Sequence, residues 1–144
     1  MSQNIQVGLP FPNIVLARPD GTGMELFDLW KKQHALLLLQ KEPQADVMTF
    51  ITRFQEEART FEWLNTRLLA VFPKRDVIPT PWPAPGYPAL FHSEPLPDGV
   101  EWGKLYVISK NKTLYDIYPE PGLISVAKVE RDLLVWEANH CLPS

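Results

Sequence analysis

The side chains able to do covalent or acid–base chemistry are few in this chain and widely spaced. The only cysteine is Cys141, in the run Asn139-His140-Cys141-Leu142-Pro143. One thiol closes no intramolecular disulfide and builds no cysteine-rich zinc site, and it fits a reducing, cytoplasmic setting. It follows a predicted helix, whose C-terminal dipole disfavours a thiolate unless His140 is protonated beside it. A packing role is the first expectation for Cys141, and a redox or intermolecular-disulfide role the second. The histidines His34, His92 and His140 share no short ligand spacing, so no metal site is expected. Glu42 and Asp46 can share a helical face, where carboxylates ordinarily serve the first-turn dipole rather than acid–base catalysis. No glycine-rich phosphate loop, Gly-x-Ser-x-Gly elbow or His-Glu-x-x-His helix occurs, and no cofactor is expected.

The elements that must position these groups fit into one core. The chain has 144 residues, 45% hydrophobic and 22% charged, which argues for a single globular domain over 1–144 and against disorder or a coiled coil. With 14 Lys and Arg against 17 Asp and Glu, no basic surplus exists to neutralise a phosphate backbone, so nucleic acid is not an expected partner. The first eight residues lack the basic start and apolar stretch of a secretory signal. The longest apolar run, Ala35–Leu39, is far below the roughly 20 residues of a membrane helix, and no membrane partner is expected.

Residues 14–17 and 24–27 flank Asp20-Gly21 as the arms of a hairpin, and residues 28–32 follow with room for one helical turn. Residues 35–40 are apolar without alternation, the pattern of a strand buried on both faces and central to a sheet. From Asp46, a candidate N-cap, Val47, Phe50, Ile51, Phe54 and Ala58 recur at helical spacing. Residues 67–72 repeat the buried-strand pattern, which completes a parallel βαβ unit. The stretch 73–99 then holds eight of the 15 prolines, together with Trp82, Tyr87 and Phe91, and no helix can run through it. Residues 104–109 and 113–118 form a second hairpin, and Val126, Val129, Leu133 and Trp136 define a C-terminal amphipathic helix with Ser125 a candidate N-cap.

This order of elements resembles the thioredoxin-like fold in its peroxiredoxin, alkyl hydroperoxide reductase or thiol-specific-antioxidant branch. The opening Val7-Gly8-Leu9-Pro10-Phe11-Pro12 looks like the family's Gly, Pro and Phe segment. Asp20-Gly21 followed by Leu26, Asp28 and Leu29 looks like its strand turn, and Tyr106-Val107-Ile108-Ser109-Lys110-Asn111-Lys112 like its apolar strand into a charged turn. The resemblance implies an α/β three-layer sandwich: a central mixed sheet flanked by helices, with an N-terminal hairpin and a proline-rich insertion.

The resemblance also implies where a reactive cysteine should stand: after the first core strand, at the start of the next helix, where amide dipoles stabilise a thiolate. Set against the thioredoxin Cys-x-x-Cys motif, the sulfur positions fall near Gln44 or Ala45 and near Val47 or Met48. Set against Pro-x-x-x-Thr-x-x-Cys from Pro43, Val47 takes the Thr position and Phe50 the Cys position. Asp46 falls inside the same stretch, and neither alignment supplies a nucleophile. The family's cis-proline or nearby arginine is also missing, because the matching position is Gly103, preceded by Trp102.

The expectation is therefore a redox-inactive domain acting as a binding or assembly module for a protein partner or for a second copy of itself. Trp82, Tyr87, Phe91 and Trp102 are the candidate binding rings, with a packing role against the sheet as their ordinary alternative. A divergent antioxidant oxidoreductase using Cys141 or a partner thiol is the alternative function. A small ligand in the vacated cleft is a third reading, in which Asp46 disfavours an anion.

Overall fold

The computed structural model describes residues 5–29, 31–119 and 125–140, with side chains through 137. The expected βαβ unit is present: β3 (His34–Leu39) runs parallel to β4 (Thr66–Phe72), from His34 opposite Thr66 to Leu39 opposite Val71. On its other side β3 pairs antiparallel with β6 (Lys104–Ile108), which turns back into β7 (Leu114–Tyr118). The N-terminal hairpin of β1 (Val15–Ala17) and β2 (Gly23–Glu25) closes through an Asp20 carboxylate that accepts the Thr22 amide and hydroxyl, with Gly21 at φ +92°. It joins the sheet through β5 (Leu90–Phe91), a two-residue strand inside the proline-rich stretch. The result is one seven-stranded mixed sheet, ordered β2-β1-β5-β4-β3-β6-β7.

Alternation along β3 builds two cores at once. Leu36 and Leu38 face α1 (Ala45–Glu56), α2 (Ala58–Trp63) and α3 (Val126–His140), where they meet Val47, Phe54, Phe61, Val129 and Leu133. Leu37 and Leu39 point the other way, onto Phe11, Ile14, Leu26 and Leu29. The three α-helices share one face. The opposite layer is made by the N-terminal segment and a 3-10 turn at Leu26–Leu29, which replaces the turn expected over 28–32.

Two local expectations are corrected. The N-cap of α1 is Gln44, not Asp46, because the Gln44 carbonyl already accepts the Met48 amide. Asp46 lies inside the first turn, where its Oδ1 accepts the Val47 N–H at 2.8 Å and its charge still complements the dipole. The helix expected to run through Ala58 breaks at Glu57 (φ −100°, ψ 22°), and α2 then brings the Phe61 ring to a 3.8 Å stack on Phe54.

A cavity at the centre of β3 cannot collapse between two fixed neighbouring strands. Leu37→Ala is expected to lower unfolding stability by about 3–5 kcal/mol, measured by urea denaturation with an unchanged m-value.

Candidate functional site

Residues 41–46 form the link from β3 into α1, and there the two alignments of the missing thiol motif meet different surroundings. Pro43, Gln44, Ala45 and Asp46 are exposed around the helix start. Val47 and Phe50 point into the helix-side core at 2% and 3% exposure, and the Phe50 ring lies 6.4 Å from that of Phe54. A side chain at position 50 thus faces packed hydrocarbon rather than a reactant. Just behind this link, Gln40 is buried at the end of β3 with its Nε2 lacking a partner among the described residues.

The second half of the expected redox site is held differently. Gly103 has φ +89°, and its N–H donates to the Leu39 carbonyl at 2.6 Å, which sets the register of β6 against β3. Proline has no N–H to give there. The cis X-Pro bond among the described residues, Thr80–Pro81, lies instead in the proline-rich segment.

The four candidate rings do not form one surface. The Trp82 indole N–H donates to the carbonyls of Ala84 (3.0 Å) and Tyr87 (2.9 Å), and its ring stands edge-on to Phe72. Tyr87 is buried edge-on to Phe54, 4.9 Å between centroids. These two rings belong to the helix-side core, whereas Trp102 packs against the core on the opposite face. Phe91 sits half-buried on β5, with the Arg75 guanidinium 5.5 Å from its centroid.

Two features had no clear signal in the sequence. His34 is 1% exposed; its Nδ1 accepts the Lys110 amide at 3.0 Å, so the ring proton lies on Nε2 and is donated to Glu137 at 2.7 Å. This bond ties α3 to the start of β3. The other feature is a groove of about 510 Å³ between α1 and α3, beside the start of α1, with Phe50 and Val126 among its lining. Asp46, Glu56, Glu57 and Glu130 line it against a single guanidinium, Arg53. Burial, and then the nearby Glu57 carboxylate, hold the Glu130 carboxyl above its ordinary value.

Among the described residues, no group of three or more histidine, cysteine or carboxylate side chains is placed to hold a metal ion. No helix there is long and apolar enough to cross a membrane. Cys141 and the position preceding β3 at residue 30 lie outside the described residues.

The sheet order, the helix after β3 and the β6–β7 hairpin followed by α3 define a thioredoxin-like α/β fold. Solved structures agree with this over nearly the whole chain. A yeast mitochondrial 1-Cys peroxiredoxin superposes with a TM-score of 0.69 at 14% identity, over 96% of this chain and 80% of that one. The peroxidoxin BcpB of Mycobacterium tuberculosis gives 0.68 at 14% identity, over 94% and 98%. A thioredoxin-like protein of Bacteroides caccae gives 0.62 at 14% identity, over 90% and 50%. No family model matches the sequence, and no curated protein matches it.

Phe50→Cys in a Cys141→Ser background is expected to cost about 2–4 kcal/mol and to place a thiol that maleimide reaches only on unfolding. Glu130 offers a pH test. A carboxyl whose folded pKa is raised destabilises the fold when ionised, and the penalty vanishes once the pH falls below the unfolded value. Glu130→Gln is therefore expected to raise Tm near pH 7, with the gain fading as the pH drops through the carboxylate range toward 4; an equal gain at both ends would contradict it.

Proposed function

We propose that this chain is a redox-inactive, peroxiredoxin-like domain that works in the cytoplasm as a binding or assembly module, for a protein partner or a second copy of itself. The observation that carries the reading is the filling of the thiol positions: Gln44 and Ala45 stand at the helix start, and Val47 and Phe50 are core side chains. Peroxide reduction in this fold needs a thiolate at a helix N-terminus, where amide dipoles stabilise it. The chain's one sulfur nucleophile, Cys141, is coded beyond the last helix. Loss of the thiol removes the chemistry while leaving the scaffold, and a scaffold without chemistry is retained through what it binds.

The test is the rate at which hydrogen peroxide oxidises the reduced protein, followed by intact mass, with Cys141→Ser as control. Oxidation at the rate of a free cysteine is expected. Saturable oxidation of Cys141 at least about 100 times faster would overturn the reading and make the chain an oxidoreductase. Sizing at several concentrations then separates self-association from a partner of another kind.

A further inference from the structure

We propose that residues 79–88 form a strap that swings off α1 and β4 as one body while the rest of the fold stays closed. The strap is organised internally. Trp82 bonds the carbonyls of both Ala84 and Tyr87, and the Tyr87 amide donates to Ala84. Five of its ten residues are prolines, which stiffen the backbone and donate no hydrogen bond. Its attachment to the domain is sparse by comparison. Among the described residues a single hydrogen bond crosses from the strap, the Gly86 N–H to Gln55 Oε1 on α1 at 2.8 Å. Contact with the core is made by the Tyr87 ring on Phe54, the Trp82 ring on Phe72 and the fully buried Ala84.

The closed position also carries a penalty. The Tyr87 hydroxyl is buried with no hydrogen-bond partner among the described residues, so closure removes it from water without compensation. Burial pushes the phenol above its ordinary value, in keeping with that desolvation. A stiff unit, one polar tether and one orphaned hydroxyl together lower the free energy of local opening below that of unfolding. Swinging the strap away returns the hydroxyl to water and uncovers the Phe54 and Phe72 rings.

The inference stands apart from what the domain binds and is tested by native-state thiol labelling with maleimide in a Cys141→Ser background. Ala84 in the strap and Ala70 in β4 are both buried alanines, at 0% and 1% exposure, so a thiol at either is reached only when the structure around it opens. Ala84→Cys is expected to label at least about 100 times faster than Ala70→Cys under native conditions. Adding Gln55→Ala removes the tether and is expected to speed labelling of the Ala84→Cys protein about fivefold; adding Tyr87→Phe removes the orphan hydroxyl and slows it about fivefold. Equal labelling at the two positions means that the strap opens only when the whole domain unfolds, and overturns the proposal. So does a Gln55→Ala variant that leaves the rate unchanged. If Ala84→Cys does not fold, hydrogen exchange on the unsubstituted chain decides the matter: the Gly86 amide, whose bond to Gln55 is the one that opening breaks, must exchange well before those of β3.

Discussion

Burial of β3 on both faces is the constraint on which the rest of the structure depends. Four consecutive leucines, Leu36 to Leu39, are fully buried, and no single layer of packing can achieve that. The strand has to lie inside a sheet, with parallel β4 on one side and antiparallel β6 on the other, and each face of the sheet needs a cover. The βαβ crossover supplies the first cover, through the amphipathic faces of α1 and α2 with α3 beside them. The N-terminal segment supplies the second. Both ends of β3 are fixed as well: His34 is bound to Glu137 and Lys110 at the start, and the Leu39 carbonyl to Gly103 at the finish.

The same demand for burial accounts for what fills the start of α1. Once the helix after β3 is set by its packing face, positions 47 and 50 fall inward, where valine and phenylalanine add to the core. A thiol motif asks the opposite of this helix start: a small polar group held near solvent, under free amides. Here the carboxylate of Asp46 takes the Val47 amide, and the charged side chains lining the neighbouring groove are mostly carboxylates. The local field suits helix stability and disfavours anion binding.

What could be read from the sequence was whatever repeats over several residues. The unbroken leucine run gave a doubly buried strand, the 47-50-51-54 spacing gave α1, and the two strand-like runs either side of Lys110-Asn111-Lys112 gave the β6–β7 hairpin. The beginning of α1 was misplaced by a residue or two, because an aspartate can serve as a cap or as a first-turn carboxylate and only the backbone decides. Strand β5 was illegible: two residues between prolines carry no period, and they are extended because β1 and β4 hold them. The packing of Trp82, Tyr87, Phe91 and Trp102 was illegible for a related reason: the first two rings join the helix-side core and Trp102 the opposite one, and no local period says which. His34 and Glu137 are separated by 103 positions, and no local pattern links a histidine at a strand start to a carboxylate on the last helix.

The one-sided distribution of helices has a consequence for the order of events during synthesis. The layer opposite the helices is anchored late in the chain: the Gly8 amide bonds to Leu114, the Phe11 amide to Lys112, and Pro10 bridges to Thr113. The backbone bonds that pin residues 8–11 therefore cannot form until some hundred further residues have been made. Meanwhile the βαβ unit can pair β3 with β4 while the cover over Leu37 and Leu39 still lacks those bonds. A domain that folds in this order turns apolar surface outward while half-roofed, the kind of surface that chaperones hold and that aggregates where they are scarce.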